Sequence, residues 1–407
     1  MVVSKQSKQV VVLYISTLCG MVLGMLCSIV NTRFLPPSEY GDVRYVQNII
    51  NFISAFLLFG YFLSGSRLMA LSTDLIHIRR IKGVMAIILL CAFFVLAVSM
   101  PICYFLHSEK TTTAYLFLLS IPVCGYPLLL NYIEQTTQGD NQMGRLSLAR
   151  LLPFLCYVLI AYLFYSIWGA TSGKMILLQW GIYTIIYIVI IISTRPLFNH
   201  LRPIWKDIQE ENKKYGIQLY IGSLVMVATN YIAGITLGVF NSDNSEVGFF
   251  TLALTIINPL VALPTIVGTA FFRKFASLPC IPKKVIGYTV LLTMGSNIIF
   301  LLLIHPIVAF LYPPSYSIVA TYGSLLSIGA CIHGLGDMFN RYLCSQGLGI
   351  YVRNASIANG IVKILGYTAL VYLWNTNGAI ATTIICDVIY AFCIIYYYHK
   401  STKDGFS

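Results

Sequence analysis

Twelve apolar runs, each long enough to cross a lipid bilayer, follow one another along this chain with little between them. They lie near residues 10–30, 45–70, 83–105, 113–133, 151–169, 174–193, 215–240, 247–272, 286–311, 317–337, 354–373 and 379–398. About twenty apolar residues in a helix span the ~30 Å hydrocarbon core. Backbone polar groups inside hydrocarbon must be satisfied within the fold, which leaves helices or a closed barrel. Barrel strands would alternate over about ten residues, and these runs do not. The expected fold is therefore an all-α integral membrane protein of about twelve transmembrane helices. Composition excludes a water-soluble globule: 58% of the 407 residues are hydrophobic and only 10% are charged, against about 25% in soluble domains. The first run has no Ala-x-Ala-like site and reads as a retained helix, not a signal peptide.

The net charge of +12 would suggest nucleic acid in a soluble chain. Here the basic residues sort by side. With the N-terminus inside, twenty of the 26 Lys and Arg fall on the inner side. Arg33, Arg44, Lys110 and Lys174 fall outside, and Arg67 and Lys363 lie within spans. By the positive-inside rule both termini are cytoplasmic, and the charge needs no nucleic-acid partner. The eleven Cys contain no CxxC pair and the six His no metal-ligand spacing, so no disulfide framework or metal site is expected.

The two halves share a pattern. Glu39 and Gly41 align with Glu246 and Gly248, Ile49-Ile50-Asn51 with Ile256-Ile257-Asn258, and Arg67 with Arg273 after one gap. Both copies enter from outside and leave inside, so the repeat is parallel and pairs helices 1–2 with helices 7–8. It implies a six-helix bundle over 1–193, a basic cytoplasmic connector over 194–214 and a second six-helix bundle over 215–407. Parallel repeats recur in transporters, with the substrate site between the halves.

The stretch TRFLPPSEYGDVRYVQNIINFISAFLLFGYFLSGSRLMA resembles the N-terminal motif of Wzx-type O-antigen flippases. These are polysaccharide biosynthesis and export proteins of the multidrug/oligosaccharidyl-lipid/polysaccharide transporter superfamily. The matching positions are Arg33, Leu35, Glu39, Tyr40, Gly41 and Arg67. VGFFTLALTIINPLVALPTIVGTAFFRKFA resembles the family's helix 8, and LYPPSYSIVATYGSLLSIGACIHGLGDMFNRYLCSQG its helix 10 region. The resemblance implies a MATE-like pair of bundles around a central cavity. It implies as cargo an undecaprenyl-pyrophosphate-linked oligosaccharide, an O-antigen or similar repeat unit, turned to the outer leaflet of the bacterial inner membrane. Membrane lipids, and the polymerase and chain-length regulator of the same pathway, are the partners it implies. The chain has no GxxxxGK[ST] phosphate loop, so an ion gradient, with H+ or Na+ as coupling cation, or mass action on the cargo would drive transport.

Charges at membrane depth are expensive and therefore candidates for function. Lys363 and Asp387 lie at matching depths on neighbouring helices, where they could line the cavity or form a structural pair. Arg67 suits bidentate phosphate contact, with snorkelling as the alternative, as for Arg273. Arg33 and Arg44 could receive pyrophosphate at the outer mouth or pair with Glu39 and Asp42. Asn51 and Asn258, and Asn230 in helix 7, could bind sugar hydroxyls or hold helices together. Asn359, one turn before Lys363, adds polarity to the same face. His333 and Asp337 suggest a proton relay or a local hydrogen bond. Pro122, Pro127, Pro259 and Pro264 should kink helices 4 and 8. No catalytic residue is expected. The competing functions are a drug/cation antiporter of the same superfamily and an O-antigen polymerase. The antiporter would want an acidic cation site. The polymerase would want a large outer loop, and the longest here is about 31–44.

Overall fold

A computed structural model describes residues 5–404. The side chain of Arg273, with its expected role, lies outside the described residues. Among those residues every regular element is helical. The first half holds α1 (Lys5–Phe34), α2 (Pro37–Phe56), α3 (Tyr61–Leu71), α4 (Leu75–Leu106), α5 (Thr111–Ser120), α6 (Tyr126–Gly139), α7 (Met143–Trp168), α8 (Ser172–Ser193) and α9 (Leu201–Glu211). After one π turn come α10 (Ile217–Phe240), α11 (Ser245–Ala270), α12 (Phe272–Phe275), α13 (Lys283–Leu311), α14 (Ile318–Ser345) and α15 (Gly349–Asp404).

Eight of these helices are long and apolar enough to cross a bilayer, and the bent α2–α3 pair makes a ninth span. α1 adds a shorter apolar run over Leu18–Phe34, and α15 turns at Asn375 and so comprises two helices. The described helices are thus roughly consistent with the twelve apolar runs.

The differences from expectation lie at breaks. Helix 2 is not continuous: α2 and α3 meet at 60°. Phe59 (φ 45°) and Gly60 (φ 78°) take left-handed backbone there, which costs a glycine little. Helix 4 is interrupted over 121–125 rather than kinked. Pro122 lies in the break, and Pro127 enters the first turn of α6, where a missing N–H costs nothing. By contrast α11 runs through Pro259 and Pro264 as one helix. The polar stretch 194–214 contains an amphipathic helix, α9, which buries Ile204 and Ile208 one turn apart against α3 and α4.

The chain forms two compact units. One comprises residues 1–35 with 42–228, the other 36–41 with 229–407. The parallel repeat appears in their packing. In the first, α3 packs on α6, α4 on α5, and α6 on α8. In the second, α11 packs on α14, α13 on α14, and α14 on α15. These are the pairs 2/4, 3/4 and 4/6 of each six-helix set.

The shared Glu-x-Gly has a physical cause. In the second unit the glycines of both copies touch. A Cβ on Gly248 would sit 3.2 Å from Gly41 Cα, and one on Gly41 only 1.8 Å from the carbonyl oxygen of Asn244. Glu246 accepts hydrogen bonds from Tyr322 (2.9 Å) and Thr376 (2.6 Å), tying α11 to α14 and α15.

Candidate functional site

The second unit holds a polar cluster inside apolar helices. On α14, His333, Asp337 and Asn340 recur at spacings of four and three, which places them on one face. The second arm of α15 answers with Asp387 and Tyr390. His333 Nδ1 and Asp387 Oδ1 are 2.9 Å apart. The His333 ring stacks on Tyr390 with centroids 4.5 Å apart. The Tyr390 hydroxyl donates to Asp337 Oδ1 (2.7 Å) and accepts from Asn340 Nδ2 (2.8 Å). Thr265 on α11 donates to the other Asp337 oxygen (3.1 Å). Gly329 leaves room for the carboxylate: a Cβ there would lie 2.8 Å from Asp387 Oδ2.

On the first arm of α15, Lys363 donates from Nζ to Asn230 Oδ1 of α10 (2.7 Å). One turn earlier Asn359 is buried, and its Oδ1 has no hydrogen-bond partner. Lys363 stands twelve residues before Asn375 and Asp387 twelve after it. At ~1.5 Å per residue both lie about 18 Å along their helices from the turn. The direct pair does not form. Asp387 takes His333 and Lys363 takes Asn230, although the two charges still interact through space. His333 and Asp337 likewise bond to Asp387 and Tyr390 rather than to each other. Helix rotation decides both outcomes. The arrangement brings carboxylates, an imidazole and an ammonium together, groups that can exchange a proton, with an unpaired, buried amide oxygen one turn from the ammonium.

The other candidates lie apart from this cluster. Arg67, on α3, pairs with Glu211 of α9 at 2.6 Å and is half-exposed. Arg33 is exposed in the last turn of α1. Arg44 donates to Gln47 Oε1 (2.6 Å), and Gln47 donates to the Tyr126 hydroxyl (2.8 Å). Asp42 accepts from Thr113 (2.8 Å). Asn51 is half-buried and Asn258 exposed. Among the described residues no group of three His, Cys, Asp or Glu could hold a metal. An exposed ion pair contributes about 0–1 kcal/mol. Arg67→Ala is therefore expected to leave thermal unfolding nearly unchanged, within about 1 kcal/mol of the wild type.

Sequence reasoning missed Tyr390 as a partner, and singled out Asn230 as a sugar-binding or interhelical amide without assigning it to Lys363. The spacing of Asp387 and Tyr390, three residues apart on one helix, is the signal that could have found the tyrosine.

This helical architecture is shared with several solved structures. The chain matches the lipid II flippase MurJ in an inward closed conformation with a TM-score of 0.75, at 12% identity over 95% of this chain and 87% of that one. A multidrug resistance MATE family transporter of the MOP superfamily in an inward-facing conformation matches at 0.72, with 13% identity and 95% of each chain covered. A MOP superfamily transporter from Pyrococcus furiosus matches at 0.64, with 14% identity over 97% and 96%. No curated protein sequence matches. Residues 7–283 match the model of the polysaccharide biosynthesis protein family, and the chain belongs to that family.

Proposed function

We propose that the protein is a flippase for an undecaprenyl-pyrophosphate-linked oligosaccharide, an O-antigen or similar surface-polysaccharide repeat unit. It turns this lipid from the inner to the outer leaflet of the bacterial inner membrane by alternating access, with both termini cytoplasmic. Membership of the polysaccharide biosynthesis family carries the reading. The Lys363–Asn230 and His333–Asp387 cluster supports it, because four polar groups inside apolar helices are costly unless used. Lys363 and Asn359 meet the anionic and hydroxylated parts of the cargo. His333 and Asp387 serve a coupling cation, H+ or Na+. Pathway partners are the polymerase and the chain-length regulator.

Deleting the gene tests the reading. Single repeat units trapped on undecaprenyl pyrophosphate in the inner leaflet are the expected result. Units exposed outside but unpolymerised would mark a polymerase. Drug hypersensitivity with intact surface polysaccharide would mark a drug/cation antiporter. Lys363→Ala, expressed at the normal level, should lower surface polysaccharide at least tenfold, a loss of ~1.4 kcal/mol or more in effective cargo handling. Normal polysaccharide in that strain would remove Lys363 from the site.

A further inference from the structure

The break in helix 2 leaves a groove on the first unit, about 640 Å³ in volume, unrelated to the charged cluster of the second. One wall is a stripe of α4, including Val84, Ile88, Cys91 and Val95, at helical spacings of four, three and four. The opposite wall is Phe59 and Tyr61, on either side of Gly60. The small side chains of Cys91 and Ala92 deepen the middle. Phe59 and Val95 are each about half exposed, at 53% and 52%, so the groove opens outward from the unit. From Val84 to Val95 it runs about 17 Å along α4, the depth of one leaflet of a ~30 Å hydrocarbon core.

One end of the groove is polar. There α9 closes it with Leu201, Arg202 and Trp205. Trp205 stacks on Tyr61 with centroids 5.4 Å apart, which fixes the indole at the rim. Arg202 is exposed and makes no salt bridge among the described residues. The first turn of α9 contains no acidic residue. Its acids, Asp207, Glu210 and Glu211, lie in the second half, and Glu211 is engaged by Arg67. The rim is therefore cationic where the groove begins. A tryptophan at that boundary matches the interfacial preference of indole.

We infer that this groove is a binding site for one acidic phospholipid of the adjacent leaflet. An acyl chain lies along α4 between Phe59 and Val95, and the phosphate meets Arg202 beside Trp205. A zwitterionic headgroup brings its own cation to Arg202 and gains less. The site does not depend on the flippase reading.

Trp205 supplies the probe. The full-length protein is reconstituted into phosphatidylcholine vesicles carrying a few mole per cent of phosphatidylglycerol or phosphatidylcholine brominated on its acyl chains. Emission lost in the wild type but absent from Trp205→Phe is the Trp205 signal. Brominated phosphatidylglycerol should quench it with about fivefold higher apparent affinity, the equivalent of ~1 kcal/mol for one basic residue at an anionic interface. Arg202→Gln should abolish that preference while leaving quenching by phosphatidylcholine intact. Equal quenching by the two lipids in the wild type would overturn the site. So would a preference that survives Arg202→Gln. Lipid co-purification in detergent gives a second reading that needs no tryptophan variant. Phosphatidylglycerol bound to the wild type but not to Arg202→Gln supports the site, and equal retention overturns it.

Discussion

Gly41→Ala is expected to prevent the second unit from closing. The added methyl carbon would lie 1.8 Å from the Asn244 carbonyl oxygen and 2.4 Å from its carbon. Both are backbone atoms, so no rotamer change relieves the clash. Asn244 is also the N-cap residue of α11, and Gly248 packs back on Gly41. Relief therefore requires moving the start of α11, whose Glu246 is bonded to Tyr322 and Thr376. Overpacking typically costs 1–3 kcal/mol and more where the surroundings cannot yield. About 3 kcal/mol or more is expected here, read as lost folded yield and a lowered unfolding temperature in detergent. Gly287→Ala is the control. Nothing lies within 4 Å of a Cβ there, and alanine is the better helix former by about 0.5–1 kcal/mol. A Gly41→Ala protein that melts with the wild type would refute the argument.

The same pair of glycines shows how much of the fold was legible. Apolar run length measures bilayer thickness, a one-dimensional property, so spans such as 174–193 and 286–311 could be placed from sequence. The Glu-x-Gly register could be read because two copies carried it. Breaks were harder. The turn at Phe59 and Gly60 is held from 150 residues away: Asn212 donates to the Phe59 carbonyl oxygen (3.1 Å) and accepts from Ser64 (3.1 Å). No local pattern encodes such a contact. The helix α9 was legible in principle, since Ile204 and Ile208 are one turn apart, but its charges read as loop. At the candidate site, position along the helix was visible and rotation was not. Residue spacing set Lys363 and Asp387 equally far along their helices, whereas packing turned one toward α10 and the other toward α14.

Lys82 was legible only as a charge on the inner side, yet its interior role carries the other large effect. Its side chain is 3% exposed, and it pairs with Asp140, 6% exposed, at the end of α6. The Tyr132 hydroxyl donates to the Lys82 carbonyl oxygen (2.9 Å). A Cβ on the adjacent Gly83 would lie 2.0 Å from the Leu197 carbonyl oxygen, so α4 and the chain before α9 are already in contact. Removing one partner of a buried ion pair strands the other charge, at about 3–5 kcal/mol. Lys82→Met should therefore destabilise the protein by that amount in thermal unfolding. Arg79 and Arg80 remain on the same side, so the orientation signal survives and a topology change is not the cause. The double variant Lys82→Met/Asp140→Asn leaves no stranded charge and should recover most of the loss, since replacing a whole buried pair is often close to neutral. A single variant within 1 kcal/mol of the wild type, or a double variant no better than the single, would show that the pair does not hold α4 to α6.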